Sequence, residues 1–129
     1  MWTMAEVREL KVGRYMVIDD EPCKIIDIST SKPGKHGEAK SRIEAVGLFD
    51  GNKRSIVHPT KHKVQVPMVD KRSAQVISIN RQNHTVQLMD MATYEYFDLP
   101  VTEEELERMQ EGKEIMYMEA MGKRKIMEQ

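Results

Sequence analysis

The sequence predicts an all-β protein of two small barrels, the second an OB-fold barrel with one short helix. Three observations predict it. Short runs of alternating or β-branched residues recur at close spacing, turn residues punctuate them, and one capping-box signal stands between the third and fourth strands of the second half. A chain of 129 residues accommodates one ordinary domain or two very small ones.

In the first half, Tyr15–Ile18 ends at a turn over Asp19–Pro22, and Cys23–Ile28 follows as a second strand. Ser41–Leu48 alternates polar and apolar residues with period two, the pattern of a half-buried strand. Asp50-Gly51-Asn52 is a turn, Arg54–His58 a strand stopped by Pro59, and Lys63–Pro67 a closing strand. The pattern restarts over Met68–Ser73, which sets the expected domains at 1–69 and 70–129. Ala74–Ile79 and His84–Asp90 flank a hairpin loop at Asn80–Asn83, and Tyr94–Leu99 is a third strand that places Tyr94 and Tyr96 on one face. Thr102 followed three residues on by Glu105 is a capping box, so a helix starts there and should stop near Gly112. Strands near Ile115–Glu119 and Arg124–Met127 complete the five-stranded OB order. With aromatic residues at 5%, eleven methionines are expected to help fill the core, including most of those in the second half.

Charge is unevenly placed. Residues 1–68 hold 12 Lys and Arg against 9 Asp and Glu, whereas residues 69–129 hold 8 against 12. The cationic excess gathers between Lys24 and Arg42, which suggests local contact with a polyanion. The single cysteine, Cys23, excludes a disulfide framework and reads as a small core residue. No apolar run approaches the ~20 residues of a membrane span and no charged-then-apolar leader opens the chain, so a cytoplasmic location away from membranes is expected. His58 and His62 flank Pro59; in an extended segment they would stand roughly 13 Å apart, too far for one ion, so no metal is expected there.

The chemistry-bearing segment is Ser29-Thr30-Ser31-Lys32-Pro33-Gly34-Lys35-His36-Gly37-Glu38-Ala39-Lys40. Pro33 restricts the backbone, while Gly34 and Gly37 allow a tight tip that carries Lys35 and His36. Loops of this composition are commonly just solvated turns, though loops also carry sites. A phosphate-binding loop would need glycine where Ser29 stands and Ser or Thr where His36 stands, so that reading fails. A nucleophilic lysine needs desolvation or a neighbouring cation to lower its pKa. Lys32 and Lys40 are near Lys35 in sequence, but the segment is open and no acid–base partner is evident, so an enzyme is not expected. Two rival readings stay open on the residues alone: an RNA-binding module using the OB half, and a small enzyme with a lysine nucleophile.

The same twelve residues resemble the hypusine loop of the translation initiation factor 5A family, relatives of bacterial elongation factor P, and the resemblance extends over essentially the whole chain. Pro33 and the short length resemble the archaeal branch. The resemblance implies an SH3-like first barrel and an OB-fold second barrel. It implies that Lys35 is extended by deoxyhypusine synthase, using NAD, with an aminobutyl group from spermidine, to give deoxyhypusine or hypusine with no other cofactor bound. Lys32, Pro33, Gly34, His36, Gly37, Lys40 and Arg42 would form the modification loop and its RNA contacts. The implied partners are the ribosome, tRNA and ribosomal RNA, and the implied role is relief of stalling, notably at consecutive prolines, by a monomer. The sequence departs from the common eukaryotic pattern at Pro33, where Thr is usual, and at Glu38, where His is usual; the Gly-Lys-His-Gly core is intact.

Overall fold

A computed structural model describes residues 2–32 and 37–127. The chain forms two compact units, Met1–Met68 and Val69–Gln129. Its described elements are β1 (Trp2–Glu6), a 3-10 turn (Val7–Glu9), β2 (Tyr15–Ile18), β3 (Glu21–Ser31), β4 (Lys40–Gly47), β5 (Lys53–Pro59) and β6 (Lys63–Pro67) in the first unit. The second holds β7 (Asp70–Asn80), β8 (Thr85–Asp90), β9 (Tyr96–Pro100), α1 (Glu103–Glu107), β10 (Glu114–Ala120) and β11 (Lys123–Ile126).

In the first unit an antiparallel sheet runs β2-β3-β4-β5, and β1 pairs with β6. The turn between β2 and β3 is two residues, Asp19 and Asp20, both at positive φ, the geometry whose twist suits a tight hairpin. Val7, Met16, Ile18, Cys23, Ile25, Ile43, Ala45 and Val64 form the core, so Cys23 is indeed a small buried core residue. Burial pushes its thiol pKa up. Glu21, also buried, accepts the Phe49 and Asp50 N–H groups, each at 3.0 Å, and so ties β3 to the turn after β4. The six strands with this connectivity are the SH3-like barrel.

The second unit is the OB barrel, with strand order β11-β10-β7-β8-β9. Both long strands carry an irregularity midway, between Ile25 and Asp27 in β3 and between Val76 and Ser78 in β7. An extra residue at such a point bends a long strand and lets one element serve two sides of a small barrel. The core is Ala74, Val76, Val86, Leu88, Leu99, Val101, Leu106, Met109, Ile115, Tyr117 and Ile126. β11 comes round to β9, where the Arg124 guanidinium lies 4.3 Å over the Phe97 ring and bonds Glu95 at 3.1 Å. Thr102 caps α1 with the anticipated reciprocal bonds to Glu105, at 3.1 and 2.9 Å.

Several expectations are corrected. The helix ends at Glu107, well before Gly112, because Met109 must turn inward and the Gly112 N–H bonds Val76 O at 2.7 Å, which draws the chain back to β7. Tyr94 is not in the strand: it occupies the turn before β9 at φ +62°, so it does not share a strand face with Tyr96. The methionines of the second unit mostly do not fill its core. Met109 is buried, but Met89, Met116, Met118, Met121 and Met127 are half-buried and Met91 is exposed. Inward positions on these strands are taken by Val, Leu, Ile and Tyr117, which leaves Met89, Met116 and Met118 on the outer side of the pleat.

Candidate functional site

The candidate site is built on the hairpin of β3 and β4. Their register runs from Cys23 opposite Gly47 to Ser31 opposite Lys40, so residues 32–39 close the loop. The hairpin is rooted by Ile25, Ile28, Ile43 and Ala45, which face the core of the first unit. Alternation then decides which groups reach solvent: Ser41 and Ile43 point inward, while Lys40 and Arg42 point outward.

Near the loop, apolar anchoring gives way to polar bracing. The hydroxyls of Thr30 and Ser41 share a hydrogen bond of 2.8 Å, and Ser31 Oγ donates to Lys40 O at 3.4 Å. Ser41 is fully buried, so its hydroxyl would be costly to leave unpaired. On the other side β5 continues the sheet, placing Pro59 opposite Lys40 and His58 opposite Ser41. The turn after β5 reaches further: Thr60 N–H donates to Ala39 O at 3.0 Å. That turn is itself held by Val7 N–H to His62 O at 2.8 Å and Arg8 N–H to Thr60 O at 2.9 Å. The C-terminal stem of the loop is thus fixed from the body of the barrel, one residue before pairing with β3 begins.

His58 and His62 prove closer than an extended segment would allow. The His62 N–H bonds Pro59 O at 3.0 Å, the chain reverses, and the imidazoles stack with centroids 4.2 Å apart and planes 16° from parallel. Burial, then the neighbouring His62, lowers the His58 pKa. Face-to-face stacking leaves the ring nitrogens in parallel planes, so they do not converge on a common ion. Among the described residues no group of three or more His, Cys, Asp or Glu side chains could hold a metal.

Of the residues singled out in the loop, Lys32, Gly37, Lys40 and Arg42 are all exposed. Arg42 comes within 3.6 Å of Glu44, a loose surface pair that leaves it available to another anion. Pro33, Gly34, Lys35 and His36 lie outside the described residues. The stem contacts of Ala39 with Thr60 and of Thr30 with Ser41 had no signature in the sequence, since each joins positions 21 and 11 apart through strand register alone. The described face around the loop can attract phosphate through Lys32, Lys40 and Arg42, and it presents no acid–base pair.

Two family descriptions match the chain. One, "Translation initiation factor 5A-like, N-terminal", matches residues 3–62, and the other, "Eukaryotic elongation factor 5A hypusine, DNA-binding OB fold", matches residues 68–129. The chain is similar to the translation initiation factor 5A of Picrophilus torridus, 61% identical over 98% of this chain and 96% of that one. It is 54% identical to that of Archaeoglobus fulgidus, over 98% and 97%. Among solved structures it is similar to the eukaryotic translation initiation factor 5A from Methanococcus jannaschii, with TM-score 0.87, 46% identity, and 98% and 92% of the two chains covered.

Proposed function

The chain belongs to the translation initiation factor 5A family, and from that premise we propose that it acts on the ribosome through a hypusine or deoxyhypusine at Lys35, relieving stalls in peptide-bond formation such as those at consecutive prolines. Deoxyhypusine synthase adds the aminobutyl group from spermidine, and the factor itself is not an enzyme.

The observation that carries this reading is the braced hairpin. A stem gripped by β5 and the Thr60 turn holds exposed Lys40 and Arg42 beside a loop whose sequence is Lys32-Pro33-Gly34-Lys35-His36-Gly37. An unmodified lysine is one ammonium on a four-carbon stem. An added aminobutyl arm nearly doubles its reach and places a second cation along it. Such an arm passes between RNA phosphates and orders the tRNA acceptor end, so acceleration comes from positioning another catalyst's reactants. Lys32, Lys40 and Arg42 hold the loop on tRNA or ribosomal RNA phosphates, so binding weakens as salt rises. A monomer suffices for this action.

The test is intact mass and peptide mapping of the protein from its own cells, joined to a translation assay on a proline-rich message. An added mass on Lys35, and loss of stall relief in Lys35→Arg with unchanged thermal unfolding, support the proposal. A fully active protein with bare Lys35 refutes it.

A further inference from the structure

The turn between β5 and β6 joins three parts of the first unit. Thr60 N–H donates to Ala39 O at 3.0 Å, one step beyond Lys40 and Pro59, the last pair of the β4–β5 ladder. Thr60 O in turn accepts the Arg8 N–H at 2.9 Å. The stem of the loop, the end of β5 and the 3-10 turn therefore meet at one residue. The flanks of that residue are anchored separately. His58 sits in β5 opposite Ser41, while His62 donates its N–H to Pro59 O at 3.0 Å and accepts the Val7 N–H at 2.8 Å.

The side chains of the two flanks meet across the turn. His58 is half-buried, His62 is exposed, and their imidazoles stack with centroids 4.2 Å apart. Both rings line a cavity of about 390 Å³ together with Ile56 and Val64, Asp19 from the β2–β3 turn and Lys63 from β6. The charges of the 3-10 turn are engaged elsewhere: Arg8 meets Glu6 at 2.8 Å, and Glu9 accepts the Glu6 N–H at 3.0 Å. On β4, Lys40 and Arg42 point to the opposite face of the sheet from Ser41, and Lys61 in the turn is exposed. Burial and the charge of His62 both resist protonation of His58, and no carboxylate offsets them.

We propose that the His58–His62 stack is a positioning pair for the loop that carries Lys35, holding its C-terminal stem through Thr60 and releasing it when both rings take a proton. One neutral ring stacks beside one charged ring without electrostatic penalty. Two unit charges about 4 Å apart repel strongly enough, even at the dielectric constant of water, to shift an equilibrium about fivefold. Both flanks are tied into the surrounding backbone, so the repulsion falls on the apex, where one hydrogen bond past the end of the ladder holds Ala39. The Thr30–Ser41 bond lies inside the ladder and stays. The anchor is thus complete above 6.5 and is lost as pH falls through the lowered folded value of His58. This inference concerns the stem and holds whatever Lys35 carries: stem anchoring is read by amide exchange, and the modification by mass.

The test is amide hydrogen exchange by NMR on the full chain at pH 7.5 and pH 5, expressed as protection relative to the unfolded rate at each pH. Protection of the Thr60 N–H should fall about fivefold or more at pH 5. The Ile25 N–H, bonded to Arg14 O at 2.8 Å in the same unit, should keep its protection. His62→Phe, which retains a ring to stack but takes no proton, should hold Thr60 at both pH values. His62→Ala should leave Thr60 weakly protected at both, with Ile25 again reporting an intact fold. The proposal is overturned if Thr60 protection does not fall in the native chain, if it falls equally in His62→Phe, if His62→Ala keeps it, or if Ile25 falls in step with Thr60.

Discussion

Replacing Asp90 by Ala should unfold the second unit far more readily than any surface change. The carboxylate takes bonds from Arg72, Tyr117, Ala92 and Thr93. Its loss strands the hydroxyl of Tyr117, a residue 1% exposed, and an orphaned buried donor costs ~1–3 kcal/mol. Arg72, one-third exposed, partly rehydrates, and the two turn N–H groups lose about 1 kcal/mol each. The sum is about 3–5 kcal/mol, the range for removing one member of a buried charge pair. Urea unfolding followed through the Met109 methyl reports this unit alone, since Met109 lies in its core. Adding Tyr117→Phe to Asp90→Ala should recover about 1 kcal/mol or more by deleting the stranded hydroxyl. A loss below about 1 kcal/mol for Asp90→Ala would show that the network contributes little and would refute the reasoning.

The same network sets a pH signature. The Arg72 guanidinium, helped by Tyr117 and the turn N–H groups against the opposing effect of burial, holds the Asp90 carboxyl well below the usual carboxylate range. Its contribution is complete above the unfolded carboxylate pKa and is lost as pH falls toward the depressed folded value. Burial and then Asp90 push Tyr117 up to about 12 from 10.0, so stability is also lost as pH rises from 10.0 through about 12. Asp90→Asn should flatten the acid limb.

Two further outcomes concern the first unit, which Trp2 reports by fluorescence. A Cβ on Gly47 would fall 2.1 Å from Asp50 Oδ1 and 2.8 Å from Arg54 Nη1, so Gly47→Ala must displace that ion pair and should cost ~1–3 kcal/mol in urea unfolding; a cost below about 0.5 kcal/mol would mean the pair moves aside freely. His58 has a lowered folded pKa, so its stabilising contribution is present above 6.5 and is lost as pH falls through the folded value. The urea midpoint should therefore drop on acidification from pH 7 in the native chain and drop less in His58→Gln; equal slopes would dismiss the stacked pair as a titrating element.

Much of this protein was legible because its signals are local. Period-two alternation in 41–48 and the turn residues at 19–20 and 50–52 report directly which way neighbouring side chains point and where the backbone reverses. The capping box at Thr102 is equally local and formed as expected, but the length of α1 was not, because its end depends on a bond from Gly112 to Val76 in another strand. β1 has no local signature, since Trp2–Glu6 lacks clean alternation and is a strand by virtue of pairing with β6.

By itself, then, the sequence determined two β units of opposite charge and a Gly-Lys-His-Gly loop between two paired strands, because strand pattern, turn chemistry and charge are properties of contiguous residues. Only the tertiary structure decided that the methionines line an outer face, that Asp90 meets Arg72 18 positions away and Tyr117 27 positions away, and that Thr60 grips Ala39. Those contacts are set by strand register and barrel closure, and a pattern along one segment carries no information about which residue another segment will place beside it.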